Sequence, residues 1–291
     1  MISEDLIKDV CAKLYEKACK TVPKEVKDAL EKAYKRETSE LAKIQLEQML
    51  KNIEAAEEDD NVICQDNGIP CFFITLGMKS GFQGDLVGAI KRGMKKLYVE
   101  EPHIMTYQVN PFTWKSGLSW EGMHTPFIHI EVEPDADYIK ITAFPKGTGS
   151  SMWSKLKLFG PRKATLENIK KFVLECLLDA GPRACPPYII GVGVGGTLDY
   201  VALLAKKATV RPINVRNPDP MISAMEKEIL EAVNSTGIGV MGLGGDTTAL
   251  AVNIEWASCH FYRTPLAFEL NCWPGRRAEV KIFADGSVEY L

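Results

Sequence analysis

The stretch that decides the fold is Cys185-Pro-Pro-Tyr-Ile-Ile-Gly-Val-Gly-Val-Gly-Gly-Thr197. A thiol stands just before a short apolar run, and this run leads into a glycine-rich turn. Apolar residues then recur at helical spacing from Leu198 to Ala205, which predicts a helix. A strand that ends in a glycine turn at a helix N-terminus can present backbone N–H groups to an anion. The thiol at the rim adds a candidate metal ligand.

A second glycine-rich stretch at 237–256 repeats this order. Gly237-Ile-Gly-Val-Met241 precedes Gly242-Leu-Gly-Gly-Asp-Thr-Thr248, and we predict an apolar helix after it. This stretch also leads to a cysteine, Cys272. We therefore predict an α/β fold of the mixed α+β kind, in which a helical N-terminal region of about 1–58 precedes a mixed sheet with glycine-rich strand–turn–helix units.

The remaining pattern predicts helices within 3–58, with Ser3 as an N-cap, and further helices at about 85–99 and 220–234 and after Thr165. Strands are predicted at 61–63, 71–76, 127–133, 138–144, 209–215, 264–270 and 278–283. The strands at 127–133 and 138–144 are expected to pair with each other. Because no linker or shift in composition marks a boundary, residues 1–291 are predicted to form a single domain.

Composition limits the classes of function. The chain has 291 residues, of which 46% are hydrophobic and 25% charged, and a net charge of −3 gives no electrostatic case for nucleic-acid binding. No apolar run reaches the roughly 18–20 residues that a membrane span needs. The N-terminal Met-Ile-Ser-Glu-Asp has neither the basic nor the apolar region of a signal peptide. We therefore expect a cytoplasmic protein with no membrane partner.

Eight cysteines in a reducing compartment are expected to be thiols, and none forms a C-x-x-C pair. Three of them stand in turn-rich loops: Cys64 before Gln-Asp-Asn-Gly, Cys185 before Pro-Pro, and Cys272 before Trp-Pro-Gly. Three thiolates would leave one position on a metal open for substrate, as Lewis-acid catalysis requires. Three ordinary loop thiols are the alternative. Cys11, Cys19 and Cys176 lie on predicted helices and are expected to be packing residues.

Several motifs, in order, resemble those of the iron–sulfur hydro-lyases, the family of class I fumarase and L(+)-tartrate dehydratase. The resemblance covers roughly residues 50–280, and the chain looks like a separate alpha subunit. The motifs are Cys64-Gln65-Asp66-x-Gly68, Lys146-Gly-x-Gly149-Ser150, Cys185-Pro186-Pro187, Gly191-Val-Gly-x-Gly-Gly-Thr197, Gly242-Leu-Gly-Gly-Asp246-Thr-Thr, His260 and Cys272.

The resemblance implies a [4Fe-4S] cluster bound by Cys64, Cys185 and Cys272, whose open iron would bind the hydroxyl and a carboxylate of a 2-hydroxy dicarboxylic acid. It implies that Gln65, Asp66, Gly149 and His260 face the substrate, with Asp66 as proton donor or relay and His260 as a second catalytic residue. The family's catalytic base is a threonine of the beta portion. We therefore expect a separate beta subunit, an alpha2beta2 assembly, and no activity of this chain alone.

The sequence departs from the family pattern close to the expected substrate pocket. Asn67 replaces the usual threonine, and Ser150-Ser151-Met152 replaces Ser-Glu-Asn. An arginine expected to clamp a carboxylate near position 100 is replaced around His103-Ile104. These departures favour tartrate or a substituted malate over fumarate and malate.

Other interpretations remain open from sequence. Asp66 can hydrogen-bond its own turn, His260 can be a satisfied histidine beside Cys259, and Arg276-Arg277 can be a substrate-carboxylate clamp or a solvated pair. Cys71 and Cys259 are runner-up ligands that we expect to be buried. Gly191-x-Gly193-x-x-Gly196 satisfies a dinucleotide-binding pattern, so an oxidoreductase is a rival enzyme. A non-catalytic iron–sulfur sensor or scaffold subunit is a third interpretation.

Overall fold

The computed structural model describes residues 1–118 and 122–291. The chain is organised in two compact units. Unit 1 consists of residues 1–22, 55–148 and 276–291, and unit 2 consists of 23–54 and 149–275. No helix in these described ranges is long and apolar enough to cross a membrane. The assignment of the whole chain to a single domain stays a prediction.

The α-helices are α1 (Glu4–Lys20), α2 (Lys24–Arg36), α3 (Glu40–Glu58), α4 (Leu86–Glu100), α5 (Thr148–Ser151), α6 (Leu166–Ala180), α7 (Leu198–Val210) and α8 (Pro220–Asn234). The strands are β1 (Ile69–Gly77), β2 (Tyr107–Val109), β3 (Ser116–Leu118), β4 (Phe127–Glu133), β5 (Tyr138–Lys146), β6 (Lys155–Phe159), β7 (Tyr188–Gly195), β8 (Ala249–Ala257), β9 (Thr264–Asn271), β10 (Ala278–Phe283) and β11 (Val288–Tyr290). The mixed α/β class is confirmed, as are the predicted caps, because Ser3 Oγ accepts from Leu6 N–H and Thr165 Oγ1 from Asn168 N–H.

Unit 1 is built on a five-stranded sheet of order β11-β10-β5-β1-β4. Helices α1 and α4 pack together, and the core includes the fully buried Tyr15 and Phe72. The expected pairing of 127–133 with 138–144 is wrong. Strand β1 lies between these two strands, parallel to β4 and antiparallel to β5. The reason is that β1 is largely buried and takes an interior position, whereas the mostly exposed β4 suits an edge.

Unit 2 is built on a four-stranded sheet of order β6-β9-β7-β8. The alternating glycines of β7 serve helix packing. A Cβ at Gly191 would overlap the carbonyl oxygen of Ala205, and one at Gly193 would overlap that of Val201, both on α7. Strand glycines of this kind allow close approach of another backbone. The intervening Val192 belongs to the core on the other face. The glycine pattern therefore lets α7 pack tightly on β7.

Four predicted elements are wrong. Residues 249–257 form strand β8, parallel to β7, so the second glycine-rich stretch is no strand–turn–helix unit. Most of β8 is buried, and a continuous apolar run does not distinguish a buried strand from a helix. The strand expected at 209–215 is the end of α7 and a loop, and 61–63 is also a loop. In place of the second strand before the glycines, the chain forms a short 3₁₀ turn at Val240–Gly242.

Candidate functional site

Cys185 and Cys272 lie at the same end of the sheet of unit 2. Cys185 lies three residues before the first residue of β7, and Cys272 follows the last residue of β9. These strands are antiparallel, and Ile189 pairs with Asn271, so the start of β7 lies beside the end of β9. The N–H of Trp273 donates to the carbonyl of Cys185 at 3.2 Å. The fold thus brings together two of the three predicted ligands.

A buried tyrosine holds the Cys185 loop. The hydroxyl of Tyr188 donates to the carbonyl of Gly181 at 2.7 Å and accepts from the N–H of Ala184 at 3.3 Å. Burial raises the pKa of Tyr188 to about 12, and the nearby thiols of Cys185 and Cys272 act in the same direction. The hydroxyl therefore stays protonated and keeps both hydrogen bonds at neutral pH. Cys185 itself is exposed and has a φ of +59°.

The second glycine-rich stretch braces this loop. Met241 donates its N–H to the carbonyl of Pro186 at 2.9 Å. Gly242 has a φ of +78°, and a Cβ there would overlap the ring of Pro182. Only glycine accepts both that backbone conformation and that contact. The stretch is therefore a support for the segment that presents Cys185.

Gly149 lies next to the same loop. A Cβ at Gly149 would be 3.7 Å from the carbonyl oxygen of Arg183, which is an ordinary contact. The guanidinium of Arg183 in turn stacks on the ring of Trp153 at 3.7 Å. Gly149 and Cys185 therefore belong to adjoining segments of unit 2, as the predicted site requires of this pair.

Unit 1 carries the Cys64 loop, which we define as residues 64–68. Its first three side chains, Cys64, Gln65 and Asp66, are exposed, whereas Asn67 is buried. Its last three carbonyls each accept a hydrogen bond from a distant side chain. The donors are the Arg276 guanidinium to Asp66 O at 2.5 Å, the Tyr15 hydroxyl to Asn67 O at 2.8 Å and the Thr106 hydroxyl to Gly68 O at 2.6 Å.

The carboxylate of Asp66 holds two backbone segments. Oδ1 accepts from the N–H of Gly68 at 2.9 Å, which is the Asx turn that the sequence allowed. Oδ2 accepts from the N–H of Thr148 at 3.0 Å and so fixes the start of the 148–151 segment. Asp66 therefore has a structural role, whatever further role its exposed carboxylate takes.

Two of the departures from the family pattern contact each other. The side-chain amide of Asn67 donates to the carbonyl of His103 at 3.1 Å, and the adjacent Ile104 is fully buried. A threonine hydroxyl is shorter than an asparagine amide and would not span the same gap. The interpretation of Arg276 as one of a solvated pair is wrong, because Arg276 is 3% exposed and contacts the Cys64 loop.

His260 lies at the opposite end of the sheet from Cys185 and Cys272. It follows β8, whose end pairs in parallel with the end of β7, and Cys259 adjoins Gly195 there. Strand β7 has eight residues, so its ends are roughly 23 Å apart at about 3.3 Å per residue. His260 is exposed, and its Nδ1 accepts from the N–H of Tyr262 at 3.3 Å. Unit 2 therefore does not bring His260 to its two candidate ligands.

The remaining cysteines divide by burial. Cys11, Cys19, Cys71 and Cys176 are buried, as expected, and burial raises the pKa of Cys19 and of Cys176 to about 12. The expectation that Cys259 is buried is wrong, since its thiol is exposed, 3.7 Å from the Thr264 hydroxyl.

The donor set fits an iron–sulfur cluster in its chemistry. Cys64 and Cys185 are exposed, Cys272 is half-buried, and each lies in or beside a loop held by hydrogen bonds. Cys64 belongs to unit 1 and the other two to unit 2. Across residues 1–118 and 122–291, no three His, Cys, Asp or Glu side chains form a group that could hold a metal ion. Only the pair Cys185 and Cys272 is assembled within one unit.

The glycine turn between β7 and α7 is poorly suited to a dinucleotide. Asp199, in the first turn of α7, accepts hydrogen bonds from the Thr197 side chain and from backbone N–H groups of the same turn, which lowers its pKa. A carboxylate therefore occupies the donors that a pyrophosphate would need and repels its charge. This geometry argues against the rival oxidoreductase.

Sequence reasoning missed Tyr15, Thr106 and Tyr188, and it named Arg276 without its contact with the Cys64 loop. Each of the four acts on a loop through a single hydroxyl or guanidinium, and three of them lie 38 or more residues from the carbonyl that they contact. Only the role of Tyr188 could have been predicted, because Tyr188 lies three residues after Cys185 in the glycine-rich stretch at 185–197.

Comparisons with known proteins confirm the family resemblance. A family model described as fumarate hydratase (Fumerase) matches residues 8–281. A protein of Methanocaldococcus jannaschii provisionally named L(+)-tartrate dehydratase subunit alpha is 43% identical over 97% of this chain and 99% of its own length. The L(+)-tartrate dehydratase subunit alpha of Escherichia coli K12 is 30% identical over 93% of this chain and 88% of its own length.

Proposed function

Since the chain belongs to the fumarate hydratase (Fumerase) family, we propose that it is the alpha subunit of a hydro-lyase that reversibly removes water from a 2-hydroxy dicarboxylic acid. The observation that carries this proposal is the assembly of Cys185, Cys272 and Gly149 at one end of the sheet of unit 2. Among 2-hydroxy dicarboxylates we favour tartrate or a substituted malate. The relatives named L(+)-tartrate dehydratase subunit alpha and the Asn67–His103 contact support that choice.

We propose that Cys64, Cys185 and Cys272 hold a [4Fe-4S] cluster as thiolates. When bound, such a cluster supplies an open iron that acts as a Lewis acid on the hydroxyl to be removed. The Cys185 and Cys272 loops are joined through the Trp273 N–H, so a backbone hydrogen bond links the two loops that carry these sulfurs. Support for Cys64 comes from the motif order and from the exposure of its thiol.

The other proposed residues bind substrate or move protons. Gln65 offers an exposed amide beside Cys64, and Gly149 offers backbone without a side chain beside Cys185. We propose Asp66 as the proton donor or relay, since its carboxylate is exposed and fixed by two N–H donors. The proposed role of His260 requires a second polypeptide, because its own unit holds it at the far end of the sheet from the thiols.

We propose that this second polypeptide belongs to an alpha2beta2 assembly with a beta subunit. The relatives are named as alpha subunits, which supports a partner of this kind. The beta subunit would supply the base that takes the C–H proton next to the carboxylate. We therefore expect this chain alone to bind iron without turning over substrate.

The test is anaerobic reconstitution of wild type, Cys185→Ser and the matched control Cys176→Ser with iron and sulfide. We expect iron and absorbance near 400 nm in the wild type and in Cys176→Ser, and neither in Cys185→Ser. Equal iron content in the two variants would refute the ligand assignment. Turnover of malate, tartrate isomers or methylmalates on adding the beta subunit separates a hydro-lyase from a non-catalytic iron–sulfur scaffold.

A further inference from the structure

Three side chains from separate parts of unit 1 meet on the Cys64 loop. Tyr15 comes from α1, Thr106 from the segment before β2, and Arg276 from the residues just before β10. Their donors reach three successive carbonyls, those of Asp66, Asn67 and Gly68. A surface loop normally satisfies its carbonyls with water. A loop with every carbonyl from 66 to 68 bonded to a side chain is held in one conformation.

Two of the donors are themselves held in place. Tyr15 is fully buried, and its ring packs against Phe72 at 6.1 Å and edge-on against Tyr98 at 6.5 Å. Burial raises the pKa of the Tyr15 phenol well above its ordinary range, so the hydroxyl remains a donor. Arg276 is 3% exposed, and a guanidinium placed so deeply keeps its hydrogen bonds.

The direction of these hydrogen bonds decides which way the loop points. With its carbonyls drawn toward the interior and the Asn67 side chain buried, the side chains of Cys64, Gln65 and Asp66 are left exposed. None of the three donors needs a metal to make its contact. The hydrogen bonds that hold the carbonyls of the loop are therefore all made by protein groups of unit 1.

We propose that Tyr15, Thr106 and Arg276 are positioning residues that preorganise the Cys64 loop, so that the thiol of Cys64 is presented before any cluster binds. The inference rests on the proposed function for the role of Cys64 as a ligand. Preorganisation matters because a ligand loop that must first be ordered lowers the affinity of its site. Tyr15, Thr106 and Arg276 would therefore determine how tightly the Cys64 thiolate binds iron.

The test is amide hydrogen exchange of the full-length, iron-free chain, read at Asn67 and Gly68. The variants are Tyr15→Phe, Thr106→Val and Arg276→Met, with Tyr200→Phe, Thr113→Val and Arg277→Met as matched controls. Wild type and controls are expected to protect both amides. Each loss of a donor is expected to speed exchange there by about fivefold, the effect of one net hydrogen bond. Peptides from β5 and β10 show whether a variant has lost its fold more widely.

Iron release from the reconstituted chain gives a second readout. Arg276→Met is expected to lose iron faster than wild type, and Arg276→Lys is expected to recover part of the difference because it keeps a donor. The proposal is overturned if the wild-type loop exchanges like unstructured chain until iron is added, or if Thr106→Val, which removes a single hydroxyl, exchanges like wild type. Retention of iron by Cys64→Ser would refute the ligand role while leaving the exchange result to stand.

Discussion

Replacing Tyr188 with phenylalanine removes the one hydroxyl that ties the Cys185 loop to β7. The ring is fully buried and would stay in place, so the change isolates two hydrogen bonds, to Gly181 O and from Ala184 N–H. Ala184 is 1% exposed, and its N–H would lose its partner in a site with little access to water. Leaving such a donor unsatisfied costs about 1–3 kcal/mol.

We therefore expect Tyr188→Phe to lower the free energy of unfolding by about 2 kcal/mol at neutral pH. Urea unfolding, followed by tryptophan fluorescence, measures this loss. Tyr200→Phe is the matched control, because Tyr200 lies on the surface of α7 and is 39% exposed. Its cost is expected to stay within about 0.5 kcal/mol. If the two variants were equally stable, the hydroxyl of Tyr188 would not be holding the loop.

The same substitution has a predictable dependence on pH. The pKa of Tyr188 is raised to about 12 in the folded chain, so above about pH 10 the unfolded phenol loses its proton first. The folded state then holds a proton that the unfolded state has released, and the hydroxyl's contribution to stability falls as the pH rises from 10 to 12. The gap between wild type and Tyr188→Phe should narrow in that range. A gap that widened there would contradict the assigned direction.

Three further predictions test other parts of the structure. Gly242→Ala is expected to lower the free energy of unfolding by more than about 2 kcal/mol and to slow iron uptake, because a Cβ there overlaps Pro182. Gly237 also has a positive φ but has open space around it, so Gly237→Ala is expected to cost about 1 kcal/mol in urea unfolding. Equal losses of stability in the two variants would contradict the bracing role of Gly242. Glu226→Gln is expected to lower the free energy of unfolding by about 3 kcal/mol in the same measurement, because Glu226 is fully buried and pairs with Arg211 and Arg216. If the variant were as stable as the wild type, the charge of Glu226 would not be needed for stability. Iodoacetamide is expected to label the exposed Cys64, Cys185 and Cys259 in the native iron-free chain and to leave the buried Cys11 and Cys19 unmodified. Mass spectrometry measures the labelling of each thiol. Labelling of Cys11 at the rate of Cys64 would show that burial does not protect Cys11.

The sequence predicted helices better than strand order. The three N-terminal helices have amphipathic spacing, and α1 also has the Ser3 cap; these are local signals, and all three helices form. Strand pairing depends on residues far apart in the chain, so the position of β1 between β4 and β5 could not be predicted from the sequence pattern. The strand β8 was missed for a related reason. It is a mostly buried parallel strand, whose continuous apolar run lacks the alternation of a half-exposed one.

The candidate site was likewise predicted in part from the sequence. Cys185 and Cys272 were chosen for their turn-rich surroundings, and the antiparallel pairing of β7 with β9 brings their loops together. Asp66 and Gly149 also adjoin the cysteine loops of their own units. His260 does not, because motif order in a sequence carries no information about which end of a strand a loop occupies. The supporting hydroxyls and the Arg276 guanidinium left no signal, since a buried tyrosine or arginine has no distinctive neighbours.

The glycine-rich stretches show that a sequence pattern can suggest one role while the structure requires the same residues for another. Gly-x-Gly-x-x-Gly suggested a phosphate cradle, yet Gly191 and Gly193 are needed because α7 lies against their strand, and Asp199 takes the donors of the turn. In the second stretch Gly242 is needed because Pro182 lies against it. Gly191 and Gly193 thus seat β7 against α7, whereas Gly242 braces the loop from Pro182 to Cys185. A larger residue at Gly242 should therefore disturb the loop that carries Cys185, whereas one at Gly191 or Gly193 should first push α7 away from β7.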